Sequence, residues 1–179
     1  MENSWVEGKS FFGACQAIYN IFANSTKRWN LLFEFLDDLT LKSLRVTRWE
    51  SRIESVKAIR IQAPKTSNAL MKLAEVSDDP KICWDAEKLA SNEFSSFEFI
   101  LSLIIWHDIL HKINLVIKNL QSEDMCLDVA IASLKGLVSF FEKYRENGFT
   151  SAMIDTKELA NKMDIEHVFL IKRRIKRNG

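Results

Sequence analysis

Residues 95–121 read Ser95-Ser96-Phe97-Glu98-Phe99-Ile100-Leu101-Ser102-Leu103-Ile104-Ile105-Trp106-His107-Asp108-Ile109-Leu110-His111-Lys112-Ile113-Asn114-Leu115-Val116-Ile117-Lys118-Asn119-Leu120-Gln121. From Phe97 to Trp106 the apolar residues leave almost no polar side, so a helix here must be surrounded by the rest of the chain. Beyond Trp106 the apolar positions thin to Ile109, Ile113, Val116 and Leu120, spaced four, three and four, which is one stripe of an amphipathic helix. Ser95 and Glu98 have capping-box spacing, with hydroxyl and carboxylate placed to satisfy the first free N–H groups. A helix over 95–121 would run roughly 40 Å. The fully apolar part spans only about ten residues before His107 and Asp108, short of the roughly 20 needed to cross a bilayer. No membrane span is expected.

The rest of the 179 residues suits one domain with a proper core, since nearly half are apolar. Two prolines and five glycines are too few for an all-β chain, which favours helices. The fold class expected is mainly α, with at most one short strand.

Before the central stretch, Ser10 to Ala23 places Phe11, Cys15, Ile18, Tyr19 and Phe22 at helical spacing, and Thr26 to Leu36 continues with Trp29, Leu32, Phe33 and Leu36. These are two amphipathic helices or one bent helix. Asp37 to Val46 lacks a helical period and could be a short extended segment through Leu39, Leu41, Leu44 and Val46, for which no partner strand is visible. Thr47 and Glu50 repeat the capping-box spacing and open a helix through Trp49, Ile53, Val56 and Ile59, which Pro64 is expected to close. A short helix over Thr66–Val76 follows, then a cap at Asp79-Pro80. After Gln121, Asp124 to Glu146 carries Leu127, Ile131, Leu134, Val138 and Phe141 on one face, with Asn147-Gly148 expected to stop it in a left-handed turn. Thr150 to Met163 is the last clear helix.

Net charge is only +1, but the charges lie in blocks. Lys42, Arg45, Arg48, Arg52, Lys57, Arg60, Lys65 and Lys72 form a basic run, Glu75 to Glu98 is acidic, and Lys172 to Arg177 is basic again. That terminal run suits a nuclear import signal, a nucleic-acid arm or a frayed helix end. Cys15, Cys83 and Cys126 are far apart and lack metal-ligand spacing, so neither a disulfide framework nor a zinc site is expected. Glu2, Trp5 and Glu7 do not form a secretory leader, and a nuclear or cytoplasmic location is expected rather than secretion.

His107-Asp108-Ile109-Leu110-His111 resembles the HExxH zinc pattern with aspartate in the place of glutamate, but a third ligand and a longer carboxylate are missing. An ordinary polar helix face, shared with Asn114 and Lys118, explains these residues. Neither a phosphate loop nor a nucleophile elbow is present, so no catalytic residue, metal or cofactor is expected. Thr47-Arg48-Trp49-Glu50 is the most informative spot. A capped first turn offers free N–H groups and the positive end of the helix dipole to a phosphate, with Arg45 and Arg52 beside it, and the Trp49 indole could stack on an unpaired base. Alternatively Trp49 shares the stripe of Ile53 and Val56 and is core, which periodicity alone favours.

Phe11-Phe12-Gly13, Ser25-Thr26-Lys27-Arg28-Trp29, Leu39-Thr40-Leu41-Lys42, Thr47 to Arg52, Ser55-Val56-Lys57-Ala58, Phe97 to Trp106 and Leu120-Gln121-Ser122 resemble hAT-family transposase-derived proteins, above all the zinc finger MYM-type group. In that family an RNase H-like catalytic fold is interrupted by an all-helical insertion, entered just after the Thr-Arg-Trp element. The resemblance implies that residues 1–46 are a remnant of the catalytic fold, with Asp37 to Val46 as a remnant strand. It implies that residues 47–179 are the helical insertion domain with a basic C-terminal tail. The family's zinc-binding domain, catalytic carboxylates and dimerisation region have no matching positions, and His107 and His111 stand where relatives carry aromatics. The chain is therefore expected to be a catalytically inactive fragment retaining DNA contacts, hairpin or single-stranded ends, through Trp49, Arg48, Arg45 and Arg52. Other transposase-like copies are further partners the resemblance implies. The alternative is a helical protein-interaction module that binds no nucleic acid.

Overall fold

The computed structural model describes residues 2–37, 39–44, 49–123 and 125–169, with residues 2–9 and Trp49 described as backbone only. Within them the chain forms eight α-helices and no strand: α1 (Glu2–Ala23), α2 (Thr26–Phe35), α3 (Trp49–Ile61), α4 (Ala63–Val76), α5 (Pro80–Lys88), α6 (Phe97–Leu120), α7 (Leu127–Lys143) and α8 (Phe149–Lys162). Two π-helical turns, Leu89–Phe94 and Tyr144–Gly148, carry α5 toward α6 and α7 into α8.

α6 is the centre. Phe97, Phe99, Ile100, Leu101, Leu103 and Ile104 are all buried. Fully burying one such side chain stabilises the fold by about 1.5–3 kcal/mol. The cap falls one residue later than the capping-box spacing suggests. Ser96 is the N-cap, its Oγ accepting from Phe99 N at 3.3 Å and donating to Glu98 at 2.8 Å. The Ser95 hydroxyl, just past the first π turn, donates instead to Ala90 O near the start of that turn. By length and hydropathy alone α6 could cross a bilayer. It is instead packed by α3 and α8, with its second half lying against α7.

Around α6 the apolar periodicities close as the sequence spacing suggests. Phe11, Cys15, Ile18 and Phe22 of α1, Leu32 of α2, Ile53, Val56 and Ile59 of α3, and Leu70 and Leu73 of α4 join Phe99, Ile100, Leu103 and Leu110 in one core. α1 and α2 are separate helices, broken at Asn24-Ser25. A smaller cluster joins Leu101 and Ile104 to Ala152, where the small residues Ala152, Thr156 and Ala160 bring α8 close.

Three local expectations are corrected. Pro64 does not close α3 but sits in the first turn of α4, where its missing N–H costs nothing, and the break falls at Gln62. Gly148 is not left-handed: its φ of −63° and ψ of −35° are helical, and α8 continues beyond it. The left-handed stop comes later, at Asp164 with φ 53°, after α8.

The third correction concerns Asp37 to Val46, of which residues 37 and 39–44 are described. They form no strand, and two glutamines take the place of a neighbouring strand. The buried Gln62 amide accepts from Asp37 N at 3.0 Å and donates to Leu39 O at 2.7 Å, while Gln16 Oε1 accepts from Leu44 N at 2.7 Å. Leu41, 2% exposed, anchors the segment in the core. A backbone that needs partners has found them in side chains.

Candidate functional site

The residues named for DNA contact are only partly described. Arg45 and Arg48, with the Thr47 of the capping box, lie outside the described residues. Trp49 opens α3, and its side chain also lies outside. The guanidinium of Arg52 sits over the Phe12 ring, 5.6 Å from its centroid, and Phe12 in turn lies 4.9 Å from Trp106. In the first turn of α3, Glu50 pairs at 2.9 Å with Lys118 near the end of α6, and this contact raises the Lys118 pKa. Both side chains are more than half exposed, so the pair adds little to stability.

The basic run is not a free basic patch. Lys42 pairs with Glu54, Lys65 with Asp37, Lys72 with Glu75, and Arg60 with Asp108 and Asp155. Among the described residues, Lys42, Arg60, Lys65 and Lys72 of this run thus face carboxylates, which lowers the potential a phosphate backbone would meet.

Arg60 reveals a junction that sequence spacing could not show. Near the end of α3, its Nη1 lies 2.6 Å from His107 Nδ1 and 3.1 Å from Asp108 Oδ1, and its Nη2 lies 3.4 Å from Asp155 on α8. Tyr144, in the second π turn, donates to Asp108 Oδ2 at 3.4 Å. The guanidinium therefore joins α3, α6 and α8, and the second π turn is tied in through Asp108. The polar stripe of α6 is thus a helix contact as well as a solvent face: His107 and Lys118 meet α3 at opposite ends. That places α3 and α6 antiparallel.

Charge at the junction follows from these contacts. Burial pushes the Asp108 carboxyl up, but His107, Arg60 and Tyr144 together hold it below the usual carboxylate range. Burial, and then the neighbouring Asp108 charge, push the Tyr144 hydroxyl from 10.0 to about 12. The π turn seats this tyrosine against Gly148, where an added Cβ would fall 2.6 Å from ring carbons. Gly148 serves a close approach rather than a left-handed turn.

His107 and His111 stack with ring centroids 5.9 Å apart, and no group of three or more His, Cys, Asp or Glu with metal-holding geometry occurs among the described residues. Burial pushes the Cys15 thiol far up, so it is no nucleophile at neutral pH. An open groove of about 600 Å³ beside α1 and α5 mixes Arg28, Lys81 and Lys88 with Asp79, Asp85 and Glu93, so neither charge sign dominates it.

Among the described residues, α7 carries a line of exposed apolar side chains. Leu127, Ile131, Leu134, Val138 and Phe141, the apolar face legible in the sequence, are 75%, 40%, 48%, 57% and 38% exposed. α7 packs on α6, and its half-buried residues form a different stripe, Ala130, Ser133, Leu137 and Phe140, continued by Tyr144 of the π turn. No side chain of α7 is fully buried. No protein-family model matches the chain, and no curated protein or solved structure matches it either.

Proposed function

We propose that this protein is a catalytically inactive helical interaction module whose contact surface is the uncovered stripe of α7. The observation that carries the reading is five large apolar side chains in one line facing water. Contiguous apolar patches of this kind mark interaction sites, whereas singly exposed apolar residues do not. An indifferent surface helix would carry polar residues there.

The test uses protein dilute enough to be monomeric and the dye anilinonaphthalenesulfonate, which fluoresces on apolar surface. The wild type should bind it, and Ile131→Glu with Val138→Glu should remove most of the signal. Undiminished fluorescence in the double variant would refute α7 as the contact surface.

A second reading is a transposase-derived fragment that holds DNA through Trp49, Arg45, Arg48 and Arg52. Its support is the resemblance over Thr47 to Arg52 and the position of Arg52 one turn into α3, and the pairing of the surrounding cations weighs against it. Hairpin DNA binding at low salt that weakens steeply as salt rises would favour this second reading.

A further inference from the structure

The α7 stripe is spaced four, three, four and three, which fits the a and d positions of a coiled-coil seam over the length of α7. In heptad terms Ile131 and Val138 occupy a positions, and Leu127, Leu134 and Phe141 occupy d positions. Such a seam is completed by another helix with the same repeat. A second copy of this chain carries one by construction.

The flanks decide the orientation. The g positions are Ala130, Leu137 and Tyr144, all on the half-buried stripe. The e positions are Asp128, Lys135 and Glu142, all exposed. In a parallel pair each e flank meets the partner's g flank, where Ala130, Leu137 and Tyr144 offer its charges no counterpart. In an antiparallel pair e meets e, where opposite charges face each other, and g meets g on the other side of the seam, where the two α6 helices lie. With the a and d layers in register, Ile131 opposite Leu134 and Leu127 opposite Val138, Asp128 of each copy lies beside Lys135 of the other. Neither residue takes part in an ion pair within the described residues of one chain. The two-fold axis makes this complementary contact twice.

We propose that two copies of this chain associate through α7 as an antiparallel two-fold dimer, with Asp128 facing Lys135 across the seam. This rests on the reading of α7 as the contact surface and adds the partner and its orientation. The stripe amounts to roughly 400–500 Å² of apolar surface per copy, the size of the largest patch on an ordinary monomer. Two copies with their e flanks would bury on the order of 1,000–1,200 Å² in total, at the lower edge of specific interfaces. The dimer is therefore a weak one, with a Kd of about 1–100 µM.

Sedimentation equilibrium of the full chain between about 1 and 300 µM, bracketing that range, tests it. The wild type should pass from one to two chains. Asp128→Lys alone and Lys135→Asp alone each place like charges together twice and should each weaken the dimer about tenfold or more. An equimolar mixture of the two variants should restore it, because every e position again faces its opposite. These are exposed surface changes, and unchanged circular dichroism shows that each variant folds. A wild type that stays monomeric throughout overturns the dimer, and if the dye still reports the stripe, the contact-surface reading stands with a different partner. A dimer indifferent to both single charge swaps overturns the antiparallel register. A mixture that fails to recover overturns the Asp128 to Lys135 pairing.

Discussion

α6 and α7 are both rich in large apolar residues, and the fold treats them in opposite ways. The first half of α6 is apolar on every side, and Ile100, Leu103 and Ile104 are sealed to 1% exposure or less. α7 confines its apolar residues to a line, and every residue of that line is at least 38% exposed. The comparison teaches that all-round apolarity dictates burial within the chain, because no orientation can hide it otherwise. A one-sided stripe states only that a face seeks cover. What covers it is a matter of tertiary geometry, and here the half-buried stripe of the helix packed on α6 is the neighbouring one, Ala130, Ser133 and Leu137.

The sharpest way to break this contrast is a matched pair of truncations. Leu103→Ala, in the sealed half of α6, should cost about 2–5 kcal/mol through lost burial and a cavity. Leu134→Ala, on the open stripe, should change the stability of dilute monomer by no more than about 0.5 kcal/mol. Urea denaturation of both at the same low concentration checks the difference, and equal losses would erase the distinction.

Gln62 sharpens the other side of the comparison, because it shows how the core accommodates a segment that is neither helix nor strand. Gln62→Met keeps the volume but leaves Asp37 N and Leu39 O without partners, at a cost of about 1–3 kcal/mol. A Tm equal to wild type would show that the glutamine clamp is incidental.

Two glycines at the α7 end give a smaller, signed test. Gly148→Ala drives a methyl into the Tyr144 ring and should destabilise by about 1–3 kcal/mol. Gly136→Ala meets nothing within 4 Å and should stabilise α7 by about 0.5–1 kcal/mol, the usual gain for glycine to alanine inside a helix. Thermal melts that move both in one direction would contradict the placement of the π turn.

The junction at Arg60 adds a pH dependence. Asp108 is held below its unfolded value of 3.8, so its contribution is present above that pH and is lost as pH falls through the lower folded value. Tyr144 is held above 10.0, so its contribution is present below pH 10 and is lost as pH rises toward about 12. Asp108→Asn should flatten the acid limb of a stability-against-pH curve, and an unaltered acid limb would remove the carboxylate from the account.

Much of the fold was legible in the residues because it rests on local periodicity. The spacing of Phe11, Cys15, Ile18 and Phe22 and the closed surface of Phe97 to Ile104 each pointed to the core they form. The Asp79-Pro80 cap was legible too, and the Asp79 carboxylate accepts from Lys81 N at 2.9 Å. Boundaries were less so. Ser95 and Ser96 both satisfy a capping rule, and the π turn before them decides which one serves. Gly148 carried a familiar stop signal, yet its role is set by a ring four residues earlier. The junction was not legible at all, since Arg60 and His107 stand 47 residues apart and no pattern joins them before the chain has folded. The HExxH-like spacing drew the eye to His107 for a metal, while its neighbour in space is a guanidinium. Of the proposed DNA contacts, Arg45, Arg48 and the Trp49 side chain remain a matter of resemblance, and Arg52 is the member whose surroundings can be named.

The central claim is that the fold is complete without the α7 stripe, and a thermal melt of Ile131→Glu with Val138→Glu tests it most directly. At sub-micromolar concentration the double variant should melt within a degree or two of wild type, because two exposed side chains have been exchanged for two solvated ones, each worth no more than about 0.5 kcal/mol. A loss of several kcal/mol, the size expected when charge is forced into a core, would place the stripe inside the fold and contradict the account.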